Sequence, residues 1–130
     1  MKYTYNNTKI FIIILLLFQN CSNDFTKDLG DGYFYRFEGG ELNDILGKGE
    51  IPATVLEYAF NDDFIIAEQK PKLPQDPLYD NEYYYNNGAN SLYYWIILKK
   101  QNLVLGPFSY LEYIKVKNEN KITLKFQKEE

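Results

Sequence analysis

The sequence predicts an α+β fold in which a mostly antiparallel β-sheet, built as a meander of hairpins, carries one short late helix and a C-terminal strand. Apolar and polar residues alternate in several short runs, which is the periodicity of β-strands. Turns rich in Gly, Asn and Asp separate these runs. Strand and helix patterns do not alternate along the chain, so a parallel sheet is not expected.

Strand patterns begin after the turn formed by Gly30, Asp31 and Gly32. Residues 33–37 alternate between two faces, and residues 42–46 are predicted to return beside them. Glycines follow both runs and are expected to end both strands.

The next pair of strands is predicted at residues 55–60 and 64–69, two apolar runs joined by an Asn-Asp-Asp turn. Turn residues between runs of this length favour a β-hairpin. A helix over residues 53–60 is the alternative. The run at 64–69 is apolar on both faces, which predicts a central strand.

Residues 70–77 contain three prolines, which lack the amide donor that a strand ladder needs, so an extended loop is predicted there. Asn87 and Gly88 are typical of a type I′ turn. Residues 83–85 are expected to pair back onto the next strand.

That next strand, residues 92–99, has the strongest pattern in the chain, with large apolar side chains on both faces. Residues 103–105 are predicted to return beside it, and Gly106 and Pro107 are expected to end the return strand.

The end of the chain contains the predicted helix. Ser109 and Glu112 have the spacing of a capping box, which predicts a helix over residues 110–117. Residues 121–126 alternate again and predict the C-terminal strand.

The N-terminus carries an apolar run at residues 10–18, with Lys2 and Lys9 before it and Cys21, the only cysteine, after it. As a helix this run would span about 14 Å, well short of a hydrocarbon core of about 30 Å, whereas the pattern is typical of a secretory signal peptide. It resembles a bacterial lipoprotein signal, in which the cysteine is lipidated and becomes the first mature residue. The alternatives are a buried core segment and a free thiol.

The lipoprotein interpretation divides the chain into a signal peptide at residues 1–20, a tether at 21–29 and a single antiparallel-sheet domain at 30–130. Removal of the signal takes away two lysines and changes the formal charge from −4 to −6. An acidic domain is not expected to bind nucleic acid and suits a basic protein partner. The expected location is the cell membrane or outer membrane, lipid-anchored and facing the periplasm or the exterior.

Composition excludes several kinds of active site. The chain has no His, and lipidation would consume Cys21, so the commonest general base and a thiolate nucleophile or zinc ligand are missing. Phosphate-binding glycine loops and serine-nucleophile motifs are also absent. The neighbouring carboxylates Asp62 and Asp63, like Asp28 and Asp31, fit turn positions. We therefore expect a non-enzymatic protein with no catalytic residue, no metal site and no cofactor.

The Tyr- and Asn-rich segment at residues 79–95 is the best candidate binding surface, because aromatic rings and amides suit sugars and protein partners. Tyr83, Tyr84, Tyr85 and Trp95 are the possible ligand-binding residues, and a glycan- or small-ligand-binding domain is the alternative function. The competing interpretation is that these rings build the core and that an AT-rich genome accounts for the abundance of Tyr and Asn.

Short motifs spread along the chain resemble those of a small family of uncharacterised bacterial lipoproteins. They are Asp28-Leu29-Gly30-Asp31-Gly32-Tyr33, Asp63-Phe64-Ile65-Ile66-Ala67, Tyr94-Trp95-Ile96-Ile97 and Gly106-Pro107 followed by Ser109. The resemblance implies a membrane-tethered extracytoplasmic domain and implies no activity. Together with the composition, it favours a protein-binding module in the cell envelope, held at the membrane through lipid on Cys21.

Overall fold

Two antiparallel meanders, one after the other in the chain, make up the computed structural model, which describes residues 24–129. The first sheet has the order β1-β2-β3-β4 and the second the order β5-β6-β7-β8. The strands are β1 Phe25–Gly30, β2 Tyr33–Phe37, β3 Asn43–Leu46, β4 Glu50–Ile51, β5 Val55–Phe60, β6 Phe64–Gln69, β7 Tyr93–Leu98 and β8 Leu103–Phe108, and the helix α1 is Tyr110–Glu119. The predicted α+β class with mostly antiparallel strands is confirmed.

The hairpin of β5 and β6 has the predicted bounds and the predicted turn. The side-chain oxygen of Asn61 accepts hydrogen bonds from the backbone amides of Asp63 and Phe64, at 2.9 and 2.8 Å. Strand β6 lies between β5 and β7, as predicted for a central strand, and its side chains are buried on both faces of the sheet. The helix considered for residues 53–60 does not form.

Two hydrophobic cores lie on opposite faces of the second sheet. Strand β7 supplies both, because its side chains alternate between the two faces. The inner core between the two sheets includes Tyr33, Ile45, Ile51, Ile65, Tyr93, Trp95 and Ile97. The outer core, on the face that α1 covers, includes Ile66, Tyr94, Ile96, Leu98, Tyr113, Ile122 and Phe126.

Helix α1 begins at the predicted cap. The Ser109 hydroxyl accepts a hydrogen bond from the backbone amide of Glu112 at 3.3 Å. The helix buries Tyr113 and Lys117 against the second sheet, while Leu111 remains 81% exposed.

The predicted C-terminal strand is wrong. Residues 121–126 alternate as expected, with Ile122 and Phe126 buried and the residues between them more exposed, but they join no strand ladder. They lie against the outer face of the second sheet beside α1, where Phe126 is 6.0 Å from Tyr113 between ring centroids. Alternation in the sequence shows only that one face of a segment is buried. A segment that lies across the face of a sheet buries one side in this way without pairing with any strand.

Three further expectations are corrected. Residues 25–29, predicted as tether, belong to β1, which pairs with β2 from Phe25 onwards. Strand β8 continues through Gly106 and Pro107, because a register shift in its pairing with β7 accommodates them. Residues 83–85 form no strand.

The turn after residues 83–85 also differs from the prediction. The Gly88 amide donates to the Tyr85 carbonyl at 3.1 Å, and Gly88 has a positive φ of 76° while Asn87 does not. A type I′ turn needs positive φ at both central positions.

The predicted signal peptide and Cys21 lie outside the described residues. Among residues 24–129, no helix combines the length and the apolar character that crossing a bilayer requires.

Candidate functional site

The four predicted ligand-binding residues are separated by the fold. Trp95 is completely buried and Tyr85 is buried beside it in the inner core, while Tyr83 is half-buried. Tyr84 alone projects into solvent, with 83% of its surface exposed. A sugar site on this segment would therefore have one accessible ring.

The buried rings hold the long loop between β6 and β7 against the sheets. The Trp95 indole N–H donates to the Gln69 side-chain oxygen at 2.6 Å. The Gln69 amide in turn donates to the Tyr85 hydroxyl at 2.9 Å, and Tyr83 packs edge-on against Trp95 at 5.0 Å. The interpretation that these residues build the core accounts for their positions.

Hydrogen bonds to Glu50, on β4, hold the loop between β6 and β7 against the first sheet. Its carboxylate is buried and accepts hydrogen bonds from the backbone amides of Asp80 and Asn81, at 2.8 and 3.3 Å. It also accepts from the Tyr83 hydroxyl at 3.3 Å. Burial, with a smaller effect from the Glu50 charge, raises the pKa of Tyr83 to about 12, so the phenol stays protonated and keeps donating.

A second buried carboxylate, that of Asp44 on β3, is the centre of a charged network. Arg36 on β2 donates two hydrogen bonds to it, from Nε at 3.0 Å and from Nη2 at 2.7 Å. The Tyr79 hydroxyl donates a third at 2.7 Å and accepts one from the Ala53 amide at 3.0 Å. A two-point contact of this kind fixes the guanidinium plane as well as its position.

The protonation of this network is set by burial and by Asp44. Burial raises the pKa of Tyr79, and the hydrogen bond to Asp44 raises it further. The same carboxylate, through its hydrogen bond, raises the pKa of Arg36. Both groups therefore remain donors, and the Asp44 oxygens are occupied in positioning them.

Two cavities of about 320 and 390 Å³ lie on either side of this network, between the first sheet and the loop at residues 70–81. Arg36, Asp76 and Tyr79 line both of them. We call the two cavities together the acidic groove. Its charged lining residues are Arg36 and Lys72 against Glu38, Asp44, Glu50, Asp76 and Asp80.

The accessible charge of the acidic groove is negative. Asp44 and Glu50 are buried and committed to internal hydrogen bonds, whereas Glu38, Asp76 and Asp80 are exposed and outnumber the exposed Lys72. Glu38 also forms an ion pair with Arg36 at 3.5 Å. Leu78 stands on the rim with 88% of its surface exposed. Among residues 24–129, no three His, Cys, Asp or Glu side chains are grouped so as to hold a metal ion.

Sequence reasoning missed Arg36, Asp44 and Tyr79. One clue was available, since Arg36 is the only arginine among the 14 Lys and Arg residues of the chain. A chain that otherwise uses lysine places arginine where two parallel hydrogen bonds to a carboxylate are needed. Asp44 lies opposite Arg36 in the predicted pair of strands, so this partner was within reach of the pattern. Tyr79 was not, because it is 35 positions from Asp44.

The carboxylates considered for catalysis are turn residues. Asp62 and Asp63 are both exposed at the turn between β5 and β6. Asp28 accepts a hydrogen bond from the Gly30 amide at 2.8 Å, which is an ordinary turn contact.

Comparison with known proteins identifies the family of this chain. Residues 38–130 match the model of a family described as protein of unknown function, DUF3997. The chain belongs to this family. The match begins just after β2, so it includes Asp44, Glu50 and Tyr79 of this DUF3997 protein but not Arg36. No curated protein and no solved structure matches it.

Proposed function

We propose that this DUF3997 protein is a non-enzymatic lipoprotein of the cell envelope that binds a basic segment of a protein partner in the acidic groove. The observation that carries the proposal is the groove itself, where exposed Glu38, Asp76 and Asp80 surround a cleft beside the exposed Leu78. An apolar contact with a polar rim whose net charge complements the partner is the usual anatomy of a specific interface.

The supporting network favours a preformed site. Glu50, Asp44 and Tyr79 attach the loop to the first sheet through hydrogen bonds of 2.7 to 3.3 Å. A loop that is already ordered loses little conformational entropy on binding. The single exposed ring of Tyr84 offers a glycan far less contact.

The partner is tested by crosslinking in membranes. A photoreactive residue replacing Leu78 should give one discrete adduct, and the same residue replacing Leu111, an equally exposed leucine on α1, should give none. Asp76→Asn with Asp80→Asn should reduce the Leu78 adduct about 3- to 10-fold, because it removes two groove charges. Glu112→Gln with Glu119→Gln, which removes two exposed charges from α1, is the matched charge control. Equal adducts from both positions would refute the groove.

The membrane anchor is tested separately. We propose that Cys21 carries the lipid, since the apolar run at residues 10–18 directly precedes it. Labelled palmitate should enter the wild-type protein and not Cys21→Ser. Equal labelling of the two proteins would rule out Cys21 as the anchor.

A further inference from the structure

One flank of the molecule exposes three large apolar side chains close together. It lies where β1 and β5, which are edge strands of the two sheets, come together. Phe25 is 53% exposed, Leu56 51% and Phe60 36%. We call this surface the aromatic flank and define it by Phe25, Leu56, Phe60, Lys27 and Lys125.

A continuous row of rings forms the floor of the aromatic flank. Phe25 lies 6.1 Å from Tyr35 between ring centroids, Tyr35 lies 4.5 Å from Tyr58, and Tyr58 lies 6.5 Å from Phe60. The row crosses from the first sheet to the second. Because these rings connect the two edge strands, the exposed apolar groups form one continuous surface rather than scattered single residues.

The aromatic flank is basic in a protein that is acidic overall. The Lys27 ammonium lies 5.4 Å from the centroid of the Phe60 ring, and the exposed Lys125 lines the same cavity, of about 490 Å³. The one carboxylate in that cavity, Glu57, accepts a hydrogen bond from the Gln127 amide at 2.5 Å. The formal charge of the whole chain is −4, so the sign of this surface is a local feature.

Besides Glu57 and the exposed Asp24, which precedes Phe25, three acidic side chains near the aromatic flank lie at its other end. Asp28, Asp31 and Asp62 surround a separate cavity beside Phe60 and the end of β1. Three residue steps separate Phe25 from Asp28, which in a strand is about 10 Å. At the Phe25 end of the flank, the neighbouring carboxylate is therefore that of Asp24 rather than one of this group of three.

The proposed anchor is close to the Phe25 end. Cys21 precedes Phe25 by four positions, and four residues reach at most about 14 Å even when fully extended. A lipid on Cys21 would therefore hold the start of β1 at the membrane surface.

We infer that the aromatic flank rests on the bilayer that holds Cys21. Phe25, Leu56 and Phe60 enter the boundary between headgroups and acyl chains, and the Lys27 and Lys125 ammonium groups lie at the level of the phosphates. The inference rests on the proposed lipid anchor. It gives the anchored domain one orientation and leaves the acidic groove, formed by β2 to β4 and the loop, open to a partner.

The test places a fluorescent label on the flank of the full, lipidated protein in phospholipid vesicles that contain zwitterionic and anionic lipid. With Cys21 blocked by lipid, Leu56→Cys supplies a unique thiol for an environment-sensitive dye. Leu111→Cys is the matched control, because it is also an exposed leucine but lies on α1. Lipids that carry a nitroxide near the headgroup should quench the dye at 56 and not at 111. Gln127→Cys, beside the same cavity, is a second probe in case Leu56→Cys misfolds.

The outcomes separate this inference from the anchor. Palmitate-labelled, vesicle-bound protein whose dye at 56 is no better quenched than that at 111 would overturn the orientation and leave the anchor intact. Absence of palmitate from the wild type would overturn both. A dye at 56 that is shielded from water without lipid quenching, with crosslinks between copies, would assign the flank to self-association instead.

Discussion

The side-chain amine of Lys99 lies in a nearly closed site, where it donates hydrogen bonds to two main-chain carbonyls. Only 3% of the residue is exposed, and Nζ donates to the carbonyl of Leu29 and, at 2.5 Å, to that of Asn61. Leu29 belongs to β1 and Asn61 to the turn after β5, so one side chain joins the two sheets. Burial lowers the pKa of Lys99, and the charges of Asp31 and Asp62 partly oppose this.

Lys99→Met should therefore destabilise the protein, because the buried Leu29 carbonyl and the partly buried Asn61 carbonyl both lose this donor. We expect the free energy of unfolding to fall by about 1–3 kcal/mol, measured by urea denaturation. Lys100→Met is the matched control, since Lys100 is exposed and pairs with Asp31 at the surface. Its midpoint should stay near that of the wild type. Equal losses for the two variants would contradict the role of Lys99.

Tyr79→Phe removes one oxygen from the network beside the acidic groove. The Ala53 amide loses its acceptor and Asp44 loses one of its donors, which should cost about 1–3 kcal/mol of unfolding free energy. Hydrogen exchange should accelerate in the loop at residues 70–81. Tyr84→Phe, at an exposed position, should change neither measurement. A silent Tyr79→Phe would show that the loop is held without this network.

At the level of elements, β8 shows how a strand continues through residues that usually end one. Gly106 has φ +133°, a conformation that side-chain-bearing residues rarely adopt, and it lies beside the Trp95 ring. A Cβ at Gly106 would stand 2.9 Å from two atoms of that ring and from the Tyr94 carbonyl oxygen. Trp95 thus packs directly against the main chain of the neighbouring strand.

Gly106→Ala should lower the free energy of unfolding by about 2 kcal/mol or more, because it adds steric overlap to backbone strain. Gly39→Ala separates the two causes. Gly39 also has positive φ, +83°, but nothing lies within 4 Å of its missing Cβ, so it should lose only about 1 kcal/mol. Chemical denaturation of both variants measures the difference. Losses of equal size would show that contact with Trp95 contributes nothing.

For the molecule as a whole, buried phenols set the response to alkaline pH. Burial is the main cause that raises the pKa of eight tyrosines, namely Tyr33, Tyr35, Tyr58, Tyr79, Tyr83, Tyr85, Tyr94 and Tyr113. A folded-state pKa above the unfolded value stabilises the fold at any pH below the unfolded value. That stabilisation is lost as the pH rises through the folded-state pKa.

We therefore expect the free energy of unfolding to fall steeply from about pH 10, the ordinary value for tyrosine, towards about 12, the pKa of Tyr83 and Tyr94. Lys99 works in the opposite direction, since its lowered pKa adds stability as the pH rises, but it is one group against eight. Denaturation at a series of pH values, with phenolate absorbance recorded in parallel, tests this. Stability that stays constant through this range would contradict the burial of the phenols.

Local pattern predicted most of the elements, because alternation and turn chemistry act over a few neighbouring residues. The hairpin of β5 and β6 is an example. The pattern could not tell which hairpins share a sheet, since β4 and β5 are close in sequence yet belong to different sheets. It likewise could not separate residues 121–126 from a true strand. The acidic groove could not be predicted, because the hydrogen bonds that attach its loop to the first sheet join positions 30 or more residues apart.

The arrangement of two complete meanders determines which parts of the fold can form while the chain is being synthesised. Each sheet uses one continuous stretch, so every ladder closes between neighbours and can form early. The first sheet emerges before β7, however, and the buried faces of Tyr33, Ile45 and Ile51 are only partly covered, by β5 and β6, until Trp95 and Ile97 arrive. During synthesis this half-built layer is the species most exposed to aggregation, and a chaperone would recognise it there.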